Sequence, residues 1–435
     1  MTSANVLAID AARGTVLTSA GGALPVVEVD PEGTGTFTTR VARTLDGWAT
    51  RPVPLLEVHG TGLASFDTVL VHVDLDEATT PPGCRWAALD ASTPLVDGPL
   101  ADRGAALVAE ARGVQEVSAL RPRWARRGWY DGAAAWVTDR LVDAGRPPTG
   151  RVEQVKHWPL SAVMRTDTAT GPVWFKAVYE QFWSEPAVSA LLDAERPGSV
   201  APVIAVDTER GWLLLDDVGD DALLGHPEHD VGVIRRLVAI QRSFVDRTDV
   251  IGALGCPRRP FAELADPLEV ALDEAADHRW LDRERSELRA LVDWIRSAGD
   301  DVAALGFPET LVHGDFHPMN TTLGPDGPVI FDWSDTAIAH PLVDAMTWSR
   351  WLRTDPERSA HAWRAFLEAW SDVCPIERAE AARAEVVALT AAYHVLTYVQ
   401  ILRGFEPAAW PELASGIEHY VTILDDAVRD AGRAP

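Results

Sequence analysis

Two runs of the chain carry side chains that could do chemistry together. Leu311-Val312-His313-Gly314-Asp315-Phe316-His317-Pro318-Met319-Asn320 gathers two histidines, an aspartate and an asparagine, and the apolar run Val329-Ile330-Phe331 ends in Asp332-Trp333-Ser334-Asp335. Transfer of a phosphoryl group to a hydroxyl needs a carboxylate that orients the hydroxyl, and oxygen ligands that hold magnesium on the moving phosphate. Asp315 is the candidate base, and Asn320 and Asp332 are the candidate metal ligands. Asp326-Gly327-Pro328 reads as the turn of a β-hairpin that brings Asn320 and Asp332 to one ion. His313 and His317 are also of metal-binding type, but magnesium prefers oxygen. Upstream, Trp174-Phe175-Lys176-Ala177 places a lysine on a strand. Of 39 basic residues only Lys156 and Lys176 are lysine, which leaves 37 arginines. A lysine that survives such a bias marks a place where a compact ammonium is wanted.

The elements that must position these residues follow from turn chemistry and periodicity. Before residue 98 the chain reads as short strands, Val6 to Ile9, Thr15 to Thr18, Val26 to Val29, Thr36 to Ala42, Pro54 to His59, Thr68 to Leu75 and Arg85 to Leu89, punctuated by turn residues as in an antiparallel sheet. Residues 1–98 are thus an accessory β-rich cap. Helical patterns fill Leu100 to Asp143, and Gly145-Arg146-Pro147-Pro148-Thr149-Gly150 connects to strands at Val152 to Val155, Val163 to Thr166 and Val173 to Val178. A helix over Pro186 to Ala194 and strands at Val203 to Val206 and Trp212 to Leu215 complete a subdomain over 99–216. From Asp230 the apolar period becomes helical. Residues 217–435 read as a helical lobe, with helices at Arg283 to Ser297, Glu357 to Val373, Ile376 to Arg403 and Glu412 to Ala431.

Composition narrows the class. A hydrophobic fraction of 47% and a charged fraction of 24% are those of a folded globular chain, and no apolar run is long enough for a bilayer. The net charge of -26 repels nucleic acid and anionic membranes, so neither is expected as a partner. The N-terminus carries no export pattern, which points to the cytoplasm. Cys84, Cys256 and Cys374 are too far apart for a metal-ligand pair and receive no chemical role.

The runs at 311–320 and 329–335 resemble the aminoglycoside phosphotransferase and choline kinase superfamily, which shows His-Gly-Asp-x-His-x-x-Asn followed by an apolar strand ending in Asp-Trp or Asp-Phe. The resemblance implies an α+β, eukaryotic-protein-kinase-like bilobal fold, with ATP and Mg2+ as cofactors and a small molecule as acceptor. It implies that His313 and His317 brace the catalytic loop, and that Asp344, in His340-Pro341-Leu342-Val343-Asp344, hydrogen-bonds the loop from the next helix. It implies that Lys176 contacts the α and β phosphates with Glu185 as its ion-pair partner, and that the backbone around Asp216 to Val218 takes the adenine. Between Val155 and Thr166 no Gly-x-Gly-x-x-Gly occurs. The hairpin reads Lys156-His157-Trp158-Pro159-Leu160-Ser161, and Ser161 or backbone amides are expected to cradle the phosphates.

Gln400-Ile401-Leu402-Arg403-Gly404-Phe405-Glu406-Pro407 resembles a signature of actinobacterial glucosamine kinases, and the capped layout resembles theirs and that of maltokinases. Glucosamine phosphorylation at the 6-hydroxyl is the implied activity, with maltokinase, aminoglycoside phosphotransferase or an inactive sugar-binding regulator as alternatives. Gln400, Glu406 and Trp410 supply an amide for hydroxyl pairs, an acid for the C2 ammonium and a ring for the apolar sugar face. On the same helix as Gln400, His394 and Tyr398 are one turn apart, share a face and complete the expected acceptor site.

Overall fold

The computed structural model describes residues 2–30, 36–48, 53–60, 69–74, 80–93, 100–219, 222–407 and 410–432. The chain divides into two compact units, Met1–Tyr179 with Phe405–Glu412, and Glu180–Gly404 with Leu413–Pro435.

In the first unit the strand Thr2–Asp10 is apolar on both faces. Ala4, Val6 and Ala8 alternate with Leu7 and Ile9, and all five are buried, so the strand must be covered on both sides. The helix Phe37–Leu45 covers one face, packing Val41 and Leu45 with Val6, Leu55 and Val73. The helix Ala101–Ala111 covers the other, packing Leu107 and Val108 with Leu7, Ile9 and Leu70. The sheet is accordingly mixed, which corrects the expectation of a wholly antiparallel one. Thr2–Asp10 runs parallel to Val69–Asp74, with Ala4 opposite Val69 and Ile9 opposite Asp74. Thr15–Ser19, Val26–Val29, Leu55–Gly60 and Cys84–Ala88 join by antiparallel pairs. The outer residues Thr68 and Leu75 of one expected strand lie outside the described residues.

The expected strand Thr36 to Ala42 is part of the helix Phe37–Leu45. The Thr36 hydroxyl caps it by accepting from the Thr39 N–H at 3.2 Å, and Thr38, Val41 and Leu45 are buried at helical spacing. β-Branched residues favour strand locally, but the buried stripe decides.

Glu153–Trp158, Ser161–Thr168 and Gly171–Val178 form an antiparallel meander in the same unit. Gln154 ties it to the first sheet. Its Nε2 donates to the Leu55 carbonyl at 2.9 Å and its Oε1 accepts from the Leu55 N–H at 2.8 Å, a side-chain amide standing where a backbone pair would.

The second unit begins with the helix Glu185–Glu195 and the antiparallel pair Val203–Asp207 and Trp212–Asp216, then turns helical from Asp230–Ser243. Its central helix, Arg383–Arg403, packs against Ser415–Asp430 and Arg285–Ala303. Among the described residues it alone is long and apolar enough to cross a membrane, and 78% of its apolar window is buried inside the protein. The expected helix Ile376 to Arg403 is two, Ile376–Ala381 and Arg383–Arg403, parted where Ala382 turns to φ -95°, ψ 12°. An alanine-rich stretch gives periodicity nothing with which to register that break. The expected helix Glu412 to Ala431 is likewise a short turn, Trp410–Leu413, and then Ser415–Asp430.

Two small pairings hold the chemistry-bearing runs together. Thr321–Gly324 pairs with Gly327–Ile330, placing Thr321 opposite Ile330. Thr310–Val312 pairs with Ala337–Ala339, placing Val312 opposite Ala337. The loop 313–320 and the segment 331–336 are therefore clamped to each other at both ends.

Candidate active site

The clamp is tight enough to demand a glycine. Gly314 has φ 82°, and a Cβ there would run into the Asp335 carbonyl oxygen and stand 2.9 Å from the Asp335 Cβ. Beside it, His313 is fully buried and used at both nitrogens: Nδ1 accepts from the Asp315 N–H at 3.3 Å and Nε2 lies 3.0 Å from the Phe331 carbonyl as donor. Burial pushes this imidazole down to about 4, so it is neutral. Asp344, on the helix Leu342–Trp351, reaches under the loop. Its carboxylate accepts from the N–H groups of His313 and Gly314, each at 2.9 Å, and from Gln241 Nε2 at 2.9 Å. Burial pushes Asp344 up to about 7 against the pull of those donors.

Asp315 is the open member of the loop, with 40% of its side chain exposed. Its Oδ2 lies 3.3 Å from His317 Nε2 and 3.2 Å from Asn320 Nδ2. His317 Nδ1 accepts from the Met319 N–H at 3.1 Å, which leaves the proton on Nε2, and the ring stacks on Trp351 at 4.1 Å. Burial works to raise the Asp315 carboxyl, but the His317 hydrogen bond and charge outweigh it and hold the group below its ordinary range. Asp315 is thus an ionised acceptor held in one orientation and facing outward.

Asp332 sits at φ 64°, ψ 61°, a left-handed conformation that an aspartate tolerates at modest cost, and its Oδ1 accepts from Ser334 Oγ at 2.8 Å. Asp335 is pushed up to about 7, first by burial and then by the charges of Asp315 and Asp332. Three carboxylates repelling one another are an arrangement that a divalent cation relieves. The donor set also suits magnesium, which takes one or two protein oxygens and completes its shell with phosphate and water. Asn320 Nδ2 is committed to the Asp315 carbonyl at 3.0 Å, which turns its Oδ1 toward a ligand role beside Asp332. Among the described residues no group of three or more His, Cys, Asp and Glu is set to hold a metal by itself.

The residues expected at the nucleotide are spread over both units. In the first, Lys176 lies on Gly171–Val178 opposite Val163. Ser161 closes the two-residue connection Pro159-Leu160, its hydroxyl oxygen accepting from Trp158 Nε1 at 2.8 Å, and Lys156 Nζ lies 3.9 Å over the Trp158 ring. An indole anchor stands where a glycine-rich loop was absent from the sequence. In the second unit, Glu185 is buried in the first turn of its helix, and Asp216 ends its strand with its N–H on the Pro202 carbonyl at 2.9 Å. Val218 follows, half-buried.

A cavity of about 380 Å³ adjoins the catalytic loop through Trp351. His394 and Tyr398 line it as their shared face predicts, His394 with Nε2 3.3 Å from Thr347 Oγ1 and its ring stacked on Tyr420 at 4.5 Å. Gln400, expected beside them, does not line the cavity: two residues beyond Tyr398 it faces another side of the helix, is half-buried, and its Oε1 accepts from Arg259 Nη2. Glu406 requires a correction. In the first unit it is buried with both oxygens bound, accepting from Arg121 Nε and Nη2 and from Arg103 Nη1 at 3.2 Å, in a cluster completed by Glu57 and Glu110. A carboxylate held by two guanidiniums has no lone pair directed at a sugar ammonium. Trp410 Nε1 donates to the Phe405 carbonyl at 3.1 Å in the same unit. Asp335 was not among the residues expected at the site, although its place three residues after Asp332 was a usable signal. Arg350, Trp351, Arg353 and Tyr420 were invisible because nothing in one sequence ties those helix ends to the loop.

Residues 174–384 match the model of the phosphotransferase enzyme family. That stretch contains Lys176, Glu185, the loop 313–320, Asp332 and Asp344, so the residues expected to serve ATP and Mg2+ in an α+β, kinase-like fold lie inside the matched part of the chain. No curated protein matches the chain. Among solved structures, a choline/ethanolamine kinase family protein from Mesorhizobium loti is 17% identical, over 70% of this chain and 97% of that one, at a TM-score of 0.49. A putative fructosamine-3-kinase from Thermobifida fusca is 19% identical, over 68% and 99%, at 0.47. A macrolide 2'-phosphotransferase type I is 15% identical, over 69% and 97%, at 0.44.

Proposed function

We propose that this chain, whose residues 174–384 match the phosphotransferase enzyme family, moves the γ-phosphate of ATP to a hydroxyl of a sugar, with glucosamine as acceptor and glucosamine 6-phosphate as product. The observation that carries the reading is Asp315: an ionised, outward carboxylate fixed by His317 and Asn320 beside a cavity of monosaccharide scale. Asp315 accepts a hydrogen bond from the acceptor hydroxyl. As that oxygen forms its bond to the γ-phosphorus, its proton passes to Asp315, and the bond to the β-phosphate oxygen breaks to release ADP. Asn320 Oδ1 and Asp332 would hold a magnesium ion, which would supply charge neutralisation on the phosphates. The resemblance assigns Lys176 and Ser161 with its hairpin amides in the first unit to phosphate contacts, and in the second unit Glu185 to an ion-pair role and the backbone from Asp216 to Val218 to adenine. His313 and Asp344 act on none of the reacting atoms. They fix the backbone from which Asp315 projects.

On the acceptor side, the faces of Tyr398 and Trp351 suit the apolar side of a pyranose, and His394 and Thr347 offer polar contacts to its hydroxyls. Glucosamine itself is supported by the resemblance of residues 400–407 and by the size of the cavity. The test is ADP release with magnesium and ATP over a panel of glucosamine, neutral hexoses, maltose and aminoglycosides, with Asp315→Asn as control. We expect glucosamine to rank first and the variant to lose at least ~10²-fold in turnover while still binding ATP. Near-native turnover by Asp315→Asn refutes the catalytic assignment, and a different leading acceptor refutes glucosamine alone.

A further inference from the structure

Many arginines of the helical unit meet carboxylates. Arg283 meets Glu418 and Asp425, Arg285 meets Asp273 and Asp277, and Arg358 meets Asp230 at 2.6 Å. Arg350, in the last turn of Leu342–Trp351, and Arg353, two residues past its end, do not. Both line the cavity beside Trp351, and among the described residues neither has a carboxylate within ion-pair distance. Asp426 attracts Arg350 only from farther away, and its carboxylate accepts from Arg429 Nη1 at 3.3 Å. The helix C-terminus favours a cation at this position but gives the guanidinium Nη atoms no partner there. Arg350 is a half-buried cation beside the exposed Arg353, and an anion bound in the cavity would supply the counter-charge that the fold does not.

The cavity is polarised from end to end. Burial, and then the charges of Arg350 and Arg353, lower the His419 imidazole, and Arg353 also acts to lower Arg350. Toward the catalytic loop the sign reverses: burial, and then Asp315 and Asp335, push Tyr398 up to about 12. A ligand suited to both ends presents a hydroxyl to Asp315 and an anion to the two guanidiniums, whose planar forks match phosphate and carboxylate oxygens. An ammonium at the arginine end would be repelled.

Resting on the kinase reading above, we propose that the cavity formed by Arg350, Arg353, Trp351 and Tyr398 binds the acceptor through an anionic substituent remote from the transferred hydroxyl. The preferred acceptor is then an acidic sugar, and glucosamine is its minimal form. Phosphate and carboxylate share this chemistry, and two probes separate them while leaving the 6-hydroxyl free: glucosamine 1-phosphate and glucosaminate.

Isothermal titration of the full chain with glucosamine and with each probe reads the preference without requiring turnover. We expect at least one acid to bind roughly tenfold or more tighter than glucosamine, and Arg350→Gln and Arg353→Gln each to remove most of that ratio while melting like the parent. The stronger of the two probes identifies the anion. If both acids bind no better than glucosamine, or if their advantage survives in both variants, the inference is overturned. Parallel ADP-release assays keep the two readings apart. Arginine-dependent binding without phosphorylation of any compound defeats the kinase reading and leaves the anion site standing. Phosphorylation of glucosamine with no preference for the acids does the reverse.

Discussion

The substitution Asp344→Asn isolates how the catalytic loop is held, because it changes one oxygen to an amide nitrogen and leaves the volume intact. In the native site one oxygen accepts from the His313 N–H and Gln241 Nε2, and the other from the Gly314 N–H, all at 2.9 Å. If the asparagine keeps its oxygen on the first pair, its NH2 faces the Gly314 N–H, donor against donor. A buried donor then goes unsatisfied at about 1–3 kcal/mol, and the surviving bonds fall from charge-assisted to neutral strength at roughly 1 kcal/mol more. Relief of the buried charge, which burial already pushes up to about 7, offsets part of this. The expected net destabilisation is about 2 kcal/mol. The larger effect is kinetic. Gly314 precedes Asp315, so release of its N–H frees the backbone that aims the base, and a displacement near 1 Å costs on the order of 10²-fold in rate. The assay is steady-state ADP release with glucosamine at saturating magnesium and ATP, alongside thermal melting. Turnover should fall while the KM for ATP holds. A variant that melts lower but keeps native turnover would refute the positioning role, and one unchanged in both would refute the hydrogen-bond argument itself.

Gly314→Ala should fold but lose turnover by about 10²-fold or more, because φ 82° and the Asp335 carbonyl leave no room for a methyl group. Circular dichroism with ADP release checks it, and full activity would show the clamp to be loose. Asp332→Asn keeps the shape and the Ser334 contact but removes a charge, so activity should require several-fold more magnesium; an unmoved magnesium titration would exclude Asp332 as a principal ligand. Stability should fall as pH drops from 7 toward 5. Burial lowers His157, His313 and His394 to about 4 and His340 to about 3, so the folded chain binds fewer protons than the unfolded one below the ordinary histidine value, on the order of 2 kcal/mol per imidazole by pH 5. Asp335 and Asp344, raised to about 7, bind protons in the fold and oppose this over the same window, but the imidazoles outnumber them. His340→Phe, between Phe261 and Phe307, should flatten the acid limb of melting temperature against pH, and an identical limb would count against the shift.

The geometry of the loop 313–320 was legible in the sequence because its hydrogen bonding is local. His313, Gly314, Asp315, His317 and Asn320 lie within one short run whose hydrogen bonds close on neighbours, and Asp332 follows across a hairpin whose turn residues are written in the chain. Periodicity likewise placed most strands and helices. It failed where burial on a second face overrode local preference, as at Thr36 to Ala42, and where one residue broke a ladder, as at Ala382. The parallel pairing of Thr2–Asp10 with Val69–Asp74 joins segments some sixty residues apart, and nothing local encodes it. The acceptor side was the least legible for the same reason. Glu406 has the right chemical type for an ammonium, but Arg103 and Arg121, remote in the chain, take its oxygens. Arg350 looks like any surface arginine until folding leaves it without an acid and turns it into a cavity beside Asp315. Local sequence sets which groups can react, but the availability of a charge depends on which distant groups reach it, and tertiary packing alone decides that.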